Sequence, residues 1–446
     1  MKRKFFLLAA VFFMLCGNLR ADGGLPRTLK HPETGKPVRY SALPNDFRHV
    51  VLPYRYTARR NELRGVWVVT YVNMDFPQTA NPEQFQRQYS AMLKQIRAAG
   101  FNAVFFQIRP SGDAFYNSSI HPFSRFLCGK EGQGWPKFDL LGYMIREAHR
   151  QGLQFHAWMN PYRVVGATEL PKMQYLRTLS PKNFARCNPD LVLSVPSPKG
   201  NILLLDPGQP AVRKHLLATV QEIVQKYAPD SIHFDDYFYP YDYSGTADSA
   251  TYRKYNRDPR LSIEDWRRQN VSQMVKEISQ LIRNNNLAQR KNIRFGISPF
   301  GIWRNRASSP AGSPSCGNES YSSNYSDTRT WIRNNWIDYI VPQLYWKFTH
   351  PKAPYAGLAD WWAAAVAGTK VKLYIGHGAH LPFGAGEQDE LKNQLLFDSC
   401  RDRISGSVFY SYRWIFQPDT PVRRTVVERA IRDCWHGVLP APASKP

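Results

Sequence analysis

GVWVVTYVNMDFPQTANPEQFQRQYSAMLKQIRAAGFNAVFFQI, residues 65–108, has the pattern of a strand, a helix and a second strand. Its two ends, 65–70 and 102–108, are almost continuously apolar, as strands covered on both faces are. Asn81 and Pro82 suit the N-cap and the first position of the intervening helix, 82–99. The apolar residues at helical spacing in it are Phe85, Tyr89, Met92, Leu93 and Ile96. The stretch therefore predicts two parallel strands joined by a crossover helix.

The same alternation of strand and helix patterns continues towards the C-terminus. Six more strands are predicted at 153–158, 231–236, 294–298, 338–346, 371–376 and 407–412. Helices are predicted at about 139–152, 210–227, 263–285, 327–335, 358–367, 386–402 and 421–434. Residues 160–200 hold six prolines. We therefore interpret them as a long excursion, and we count the apolar run ILLL (202–205) with it.

Eight strand and helix units form either an open, doubly wound sheet or a closed barrel. Closure is favoured because polar and aromatic residues follow the strands throughout the chain, and in a barrel those loops converge on one rim. GxGxxG and Walker patterns are absent from the sequence, so no nucleotide cofactor is expected. We predict an α/β fold, a (β/α)8 TIM barrel with a long insertion after strand 3, an irregular N-terminal lead-in and no cofactor.

The first 21 residues have the pattern of a signal peptide. Lys2, Arg3 and Lys4 precede the apolar run FFLLAAVFFMLC (5–16), which is too short to span a bilayer. Cys16 leaves a lipid anchor open, but the bulk of Leu15 favours secretion without a lipid. We predict a signal peptide at 1–21, a lead-in at 22–61, a barrel at 62–436 and a C-terminal tail at 437–446. No transmembrane segment is expected after the signal, and the predicted location is the periplasm or the outer membrane.

The formal net charge is +24, and it becomes +20 when Lys2, Arg3, Lys4 and Arg20 leave with the signal. Such an excess favours contact with a polyanion, and export makes an anionic polymer of the cell envelope a better candidate than nucleic acid. Scattered surface charges that only confer solubility remain an equal alternative. The five cysteines after the signal form no CxxC pattern or metal-type cluster, so we expect no metal site. Disulfide pairing and oligomeric state are left open.

The segment IHFDDYFYPY (232–241) carries the strongest chemical signal. Two adjacent acids, Asp235 and Asp236, end an apolar strand and are followed by aromatic residues. His233 and Asp235 share one face of the strand, because side chains alternate along it. Carboxyl groups beside aromatic rings are partly desolvated, and desolvation raises the pKa of one of them and suits it to act as an acid. We predict Asp235 and Asp236 as catalytic residues. A hydrogen-bond network that closes the barrel, or pairing with an arginine, is the alternative.

Polar and aromatic residues also follow the other strands. Aromatic rings stack on the apolar faces of pyranoses, and arginine, amide and histidine side chains bond their hydroxyl groups. Fourteen per cent aromatic residues fits a sugar-binding groove. A single such residue is more often a satisfied polar group, but seven loops of this kind favour a binding surface. The predicted substrate-binding residues are Arg109, Asp113, Asn160, Tyr162, His233, Tyr237, Trp303, Gln343, Tyr345, Trp346, His377 and Tyr412.

Five segments of the chain resemble the glycosyl-hydrolase-like family ten. They are ELRGVWVVTYVNMDFP (62–77), GFNAVFFQIRPSGDAFY (100–116), HAWMNPYR (156–163), LLDPGQPAVR (204–213) and HFDDYFYPY (233–241). The resemblance runs from about residue 60 to 435. It implies an exported bacterial (β/α)8 barrel that hydrolyses a β-linked polymer, with peptidoglycan glycan strands as the leading substrate. By motif match, it also implies that Arg109, Asn160, Asp235, Asp236 and the PQLYW segment (342–346) line the cleft.

Most glycosidases use two carboxylates on opposite sides of the scissile bond. Neighbouring aspartates do not reach both sides easily, and the other acids near the rim are Asp75, Asp113, Glu387 and Asp389. A 2-acetamido sugar offers a second route, in which its own carbonyl oxygen attacks the anomeric carbon. We therefore predict substrate-assisted cleavage of an N-acetylated glycan, with Asp236 as the acid and Asp235 orienting the acetamide. A non-catalytic glycan-binding barrel is the alternative.

Overall fold

The computed structural model describes residues 25–241 and 243–439. The predicted signal peptide and Cys16 lie outside these residues, as does most of the C-terminal tail. Within the described ranges, none of the helices combines the length and the apolar character needed to cross a membrane.

Eight parallel strands form a closed barrel, as the sequence predicts. Its last strand pairs in parallel with its first, and Gly406 lies opposite Leu63. The sheet therefore has no free edge. The barrel strands in order are Leu63–Val68, Ala103–Arg109, Gln154–Met159, Ser231–Phe234, Arg294–Ile297, the divided strand Tyr339–Ile340 and Gln343–Leu344, Lys372–Gly378 and Ile404–Tyr410.

The sixth strand is divided, where the sequence predicts one strand over 338–346. Pro342 lies between the two pieces and has no N–H to donate to a neighbouring strand. Its carbonyl oxygen still accepts from the Gly376 N–H at 2.9 Å. The barrel stays closed there because both pieces pair with the seventh strand.

Helices pack around the barrel at the predicted places. Pro82–Ala98 begins at Asn81, whose side chain accepts from the Gln84 N–H, and it buries the five apolar residues of its predicted face. The longest, Ile263–Gln289, begins at Ser262, whose side chain accepts from the Asp265 N–H. The other helices of seven or more residues are Leu140–Arg150, Lys172–Thr178, Pro210–Lys226, Ser249–Tyr255, Tyr355–Ala365, Glu390–Ser399 and Pro421–Ala430. Thr328–Arg333 is a shorter one.

The excursion after the third strand is a small antiparallel sheet of its own. Its strands are Arg163–Thr168, Val192–Ser197 and Gly200–Leu205, with the last in the middle. The ILLL run is the end of that middle strand and is not part of the barrel, as expected. The second of these strands ends with Pro196 and Ser197, which lie at the mouth of the barrel together with Pro198 of the short loop that follows.

The lead-in is ordered where the structure describes it, from residue 25 onwards. Arg27–Thr28 and Val51–Leu52 form a short antiparallel pair, and Val50 and Leu52 are fully buried. The Arg27 guanidinium donates to Asn393 of a barrel helix at 2.8 Å. The lead-in therefore packs as an outer layer of the barrel.

Candidate active site

A cleft of about 1370 Å³ opens at the carboxyl ends of the barrel strands. In TIM-barrel enzymes the catalytic residues lie at this end. Asp235 and Asp236 line the cleft, and the loops after the other strands and the excursion sheet complete its walls. Its aromatic lining residues are Trp67, Tyr71, Trp158, Tyr237, Tyr239, Tyr241, Tyr243, Phe300, Tyr345, Trp346, Tyr410 and Trp414.

Asp235 is held by two side-chain donors. Its Oδ1 accepts from Asn160 Nδ2 at 2.9 Å and its Oδ2 accepts from Trp158 Nε1 at 3.1 Å. Burial raises the pKa of Asp235, while the positive charge of Arg163 and the two donors oppose that rise. The Tyr237 backbone N–H also donates to this carboxylate, so the carboxyl group is fixed in orientation.

Asp236 lies in a different environment. Burial and the neighbouring charge of Asp235 raise its pKa to about 7, against the opposing effect of Gln343. The Tyr241 hydroxyl donates to its Oδ2. A carboxyl group with a pKa near neutrality is protonated in part of the molecules at neutral pH, so Asp236 can deliver a proton. The two acids therefore differ in environment, because the charge of Asp235 adds to burial in raising the pKa of Asp236, whereas two side-chain donors and Arg163 oppose the rise in the pKa of Asp235.

Aromatic rings surround this pair. Trp67, Tyr345 and Tyr410 contact one another, with ring centroids 5.6–6.5 Å apart. Phe300 and Trp346 meet edge to face at 5.3 Å on another wall. Tyr237 is 42% exposed, so its ring is open to a ligand. Apolar faces beside two carboxyl groups are suited to a chain of pyranose rings.

Six of the residues predicted from the sequence come together in the cleft: Asp235, Asp236, Tyr237, Gln343, Tyr345 and Trp346. The other eight, Arg109, Asp113, Asn160, Tyr162, His233, Trp303, His377 and Tyr412, are not among its lining residues.

Arg109 and Asn160 lie behind the cleft. Arg109 is fully buried, and its Nη1 donates to the backbone oxygens of Asn160 and Pro161. A register irregularity between Gln107 and Arg109 redirects the arginine, and Gln107 lines the cleft instead. Asn160 contributes to the site by donating a hydrogen bond to the Asp235 carboxylate. These two positions are therefore corrected from ligand contacts to supports of the site.

Two more predicted residues stabilise the loops around the excursion. Asp113 is buried and accepts from Ser124 Oγ at 2.7 Å and from the Ser111 N–H at 3.3 Å. Tyr162 is 1% exposed, and its ring lies 6.5 Å from that of Phe238. Both side chains point into the protein, because the chain turns back into the core directly after the second and third strands.

The two predicted histidines belong to the interior. His233 points into the barrel beneath Asp235 and lies 3.1 Å from Ser298 Oγ. His377 contacts Gln394 and Ser407, at 2.9 and 3.1 Å. Strand alternation explains His377, because the neighbouring Gly376 faces Trp67 inside the barrel and the histidine then faces the helices.

Trp303 and Tyr412 lie beyond the rim. Trp303 stacks on Trp361 with ring centroids 6.0 Å apart, on the outer side of a long loop. Tyr412 belongs to a short helix after the last strand and donates its hydroxyl to Gln95 at 2.5 Å. Tyr410, two residues earlier, lines the cleft.

The cleft also contains residues that the sequence prediction missed. Trp67, Trp158 and Tyr410 lie within or at the ends of barrel strands. Because side chains alternate along a strand, the alternation that places Asp235 on the inner face could also have been used to find these three residues. Val195 and Pro198 come from the excursion sheet, and no local pattern indicates where that sheet folds back.

The acids considered as second carboxylates have other partners. Asp75 accepts from the backbone N–H groups of Val69 and Arg413 and from Ser411, and burial raises its pKa to about 6. Glu387 pairs with Lys347 at 2.6 Å and Asp389 with Arg429 at 3.1 Å. Over residues 25–241 and 243–439, Asp235 and Asp236 are the acidic residues of the cleft lining. No group of three or more histidine, cysteine or acidic side chains there is placed to hold a metal ion.

Comparisons with known proteins agree with this geometry. The family model described as Glycosyl hydrolase-like 10 matches residues 62–383. The chain is 38% identical over 378 residues to "Glycosyl hydrolase YngK" of Bacillus subtilis, covering 82% of this chain and 71% of the relative. It is 36% identical over 382 residues to "Glycosyl hydrolase DigH" of Escherichia coli K12, covering 80% and 84% of the two chains.

Solved structures share the barrel at low sequence identity. The glycoside hydrolase domain of PgaB (BpsB) from Bordetella bronchiseptica has a TM-score of 0.53 at 14% identity, covering 82% of this chain and 98% of that domain. The catalytic domain of β-amylase from Paenibacillus polymyxa has a TM-score of 0.52 at 12% identity, covering 84% and 100%. This likeness shows the fold. By its family match over most of the barrel, the chain belongs to the glycosyl hydrolase-like 10 family and is a glycoside hydrolase.

Proposed function

We propose that this chain is an exported hydrolase of peptidoglycan glycan strands that works by substrate-assisted retention. The observation that carries the proposal is the pair Asp235 and Asp236, two adjacent carboxyl groups in one aromatic cleft without another acid in its described lining. Because Asp235 and Asp236 are adjacent at the end of one strand, their carboxyl groups approach a sugar from one side. They therefore fit a reaction in which the substrate supplies the nucleophile from the other side.

The proposed first step uses the 2-acetamido group of the sugar next to the scissile bond. Its carbonyl oxygen attacks the anomeric carbon, and the bond from that carbon to the leaving oxygen breaks. Asp236 donates its proton to the leaving oxygen, and Asp235 accepts a hydrogen bond from the acetamide N–H. Water then attacks the anomeric carbon of the cyclic intermediate and gives its proton to the Asp236 carboxylate, while the bond from that carbon to the acetamide oxygen breaks and the acetamide re-forms. Two inversions leave the configuration unchanged.

Charge and the predicted signal peptide support peptidoglycan as the substrate. The formal net charge of +24 favours a polyanion, and export would bring the chain to the periplasm or the outer membrane. Peptidoglycan is anionic and carries a 2-acetamido group on each sugar. Peptidoglycan therefore has both the negative charge and the acetamide group that the proposal requires.

The test is release of fragments from purified peptidoglycan sacculi, both intact and stripped of stem peptides. We expect soluble oligosaccharides whose new reducing ends have the β configuration in the first NMR spectra. The D235N/D236N double variant is the control and should release none. Pull-down of the wild type by sacculi without released fragments would instead indicate a glycan-binding protein.

A further inference from the structure

Arg163 is the one lysine or arginine among the described residues that line the cleft. It follows the third barrel strand, and it acts electrostatically on both Asp235 and Asp236. Over residues 25–241 and 243–439, none of the ion pairs within 4 Å includes Arg163. A cation that lies beside a binding site without a carboxylate partner is available to a ligand.

Two tyrosine rings hold this guanidinium in place. Its central carbon lies 4.7 Å from the ring centroid of Tyr71 and 4.6 Å from that of Tyr237. Tyr71 is itself fixed, because its hydroxyl accepts from the Gly166 N–H at 2.9 Å. Aromatic rings over the face of a guanidinium reduce its hydration. Its N–H groups, which lie in the plane of the guanidinium, can then donate hydrogen bonds from its edge. Nη1 donates to the Pro110 carbonyl oxygen at 3.3 Å, and within the described part of the chain the other guanidinium N–H groups have no acceptor, so they remain for a ligand.

Asn160 ties Arg163 to the acid pair. Its Nδ2 donates to Asp235 Oδ1 at 2.9 Å, and its Oδ1 accepts from the Arg163 backbone N–H at 2.7 Å. One side chain therefore holds the Asp235 carboxylate close to the backbone from which the Arg163 side chain extends. A ligand group held by Arg163 would belong to a sugar bound next to the scissile bond.

We propose that Arg163 binds a carboxylate carried by the sugar unit next to the scissile bond, so that the enzyme prefers an acidic glycan. This inference rests on the proposed function and adds the chemical feature that the site recognises. One guanidinium balances one negative charge, so a carboxylate fits better than a doubly charged phosphate. Its planar fork also matches the two oxygens of a carboxylate.

A carboxylate on a glycan has two sources, a hexuronic acid or an ether-linked acid on a 2-acetamido sugar. Four substrates separate them. Peptide-stripped peptidoglycan glycan carries the ether-linked acid, and the same glycan treated with carbodiimide and ammonia carries a neutral amide in its place. Hyaluronan oligosaccharides carry the hexuronic acid, and chitin oligosaccharides carry no acid.

The variants are R163Q and R163K, with R268Q as the matched control. Arg268 also stacks on tyrosine rings, 4.2 Å from Tyr321 and 5.9 Å from Tyr325, but it is not a cleft residue. We expect R163Q to lower kcat/KM on the acidic glycan by about tenfold to hundredfold relative to the amidated glycan, the scale of one charged hydrogen bond. R163K keeps the charge and should recover part of the preference. R268Q should behave as the wild type.

Arg163 also affects the pKa values of the acid pair, so the ratio between acidic and neutral substrates is the deciding quantity. An effect through the acid pair alone would lower both rates equally and would overturn the inference. Equal rates of the wild type on the acidic and amidated glycans would also overturn it. Preference for hyaluronan over the peptidoglycan glycan would keep the Arg163 contact and assign the carboxylate to a hexuronic acid.

Binding separates this inference from the proposed hydrolysis. The dissociation constants of D236N and D236N/R163Q for the acidic and amidated oligosaccharides are measured by calorimetry. If the wild type cleaves none of the four substrates but R163Q removes a preference for the acid in binding, the hydrolysis proposal fails and the Arg163 assignment stands. If D236N binds the acidic and amidated oligosaccharides equally, the assignment fails whatever the hydrolysis results are.

Discussion

Replacing Asp236 by Asn should stabilise the protein at alkaline pH while it removes activity. Burial and the charge of Asp235 raise the pKa of Asp236 from 3.8 to about 7 in the folded protein. The folded state therefore binds a proton that the unfolded state releases, and the stability of the wild type falls as pH rises between these two values. Asparagine resembles the protonated acid and has no charge to bury.

The size of the effect follows from the pKa values. A difference of one pKa unit corresponds to about 1.4 kcal/mol, so a rise from 3.8 to about 7 corresponds to about 4 kcal/mol. D236N and the wild type should have similar free energies of unfolding well below pH 3.8, where Asp236 is protonated in both the folded and the unfolded state. Above about pH 7 the variant should be more stable by up to about 4 kcal/mol.

The assay is urea unfolding of both proteins across this pH range, followed by tryptophan fluorescence. Buried acids that do not interact with Asp236 titrate equally in both proteins and cancel in the difference, whereas Asp235 is coupled to Asp236 and contributes to it. Asp206 offers a matched comparison, because burial raises its pKa to about 6 and it is not a cleft-lining residue. The gain in D206N should level off near about pH 6, and hydrolysis should persist. A stability difference between D236N and the wild type that does not change with pH would refute the reasoning.

Four further predictions follow from the same structure. Because Asp236 must be protonated, kcat/KM should fall as pH rises through about 7, and a profile flat from about pH 5 to 9 would contradict its role as acid. N160A removes the 2.9 Å donor to Asp235 and should lower kcat by about tenfold to hundredfold, measured at saturating substrate. W346A removes a ring of the cleft and should raise KM by about tenfold at most, with little change in kcat. R267M breaks the buried 2.6 Å pair with Asp248 and should lower the free energy of unfolding by about 3–5 kcal/mol in urea titration.

The barrel could be predicted because its strands are almost continuously apolar and its helices are amphipathic. The strand 102–108 and the helix 82–99 are examples in which both kinds of pattern are unambiguous. The break at Pro342 was also visible in the sequence, because a proline cannot donate in the middle of a strand. The order of strands in the excursion sheet was not predictable, because it depends on contacts between distant residues.

The candidate site was predictable only in part. Asp235 and Asp236 come directly after a short apolar strand. Predicting that strand was therefore enough to place the two acids at the rim of the barrel. Arg109 also ends a strand, but an irregularity after Gln107 turns it behind the cleft. His377 faces the helices because its neighbour Gly376 faces the barrel interior, and side chains alternate along the strand. The sequence does not show which of the two residues faces inward. The sequence thus predicts which residues lie at the strand ends, but it predicts less well where their side chains point.

The most direct test of the account is the single-turnover rate of glycan cleavage by D235N and by D236N, each beside the wild type. The proposed mechanism uses both carboxyl groups in one chemical step, so each variant should be at least about a hundredfold slower on peptide-stripped peptidoglycan glycan. Both variants must bind that glycan and unfold cooperatively for the comparison to hold. Cleavage by either variant within about threefold of the wild-type rate would contradict the central claim.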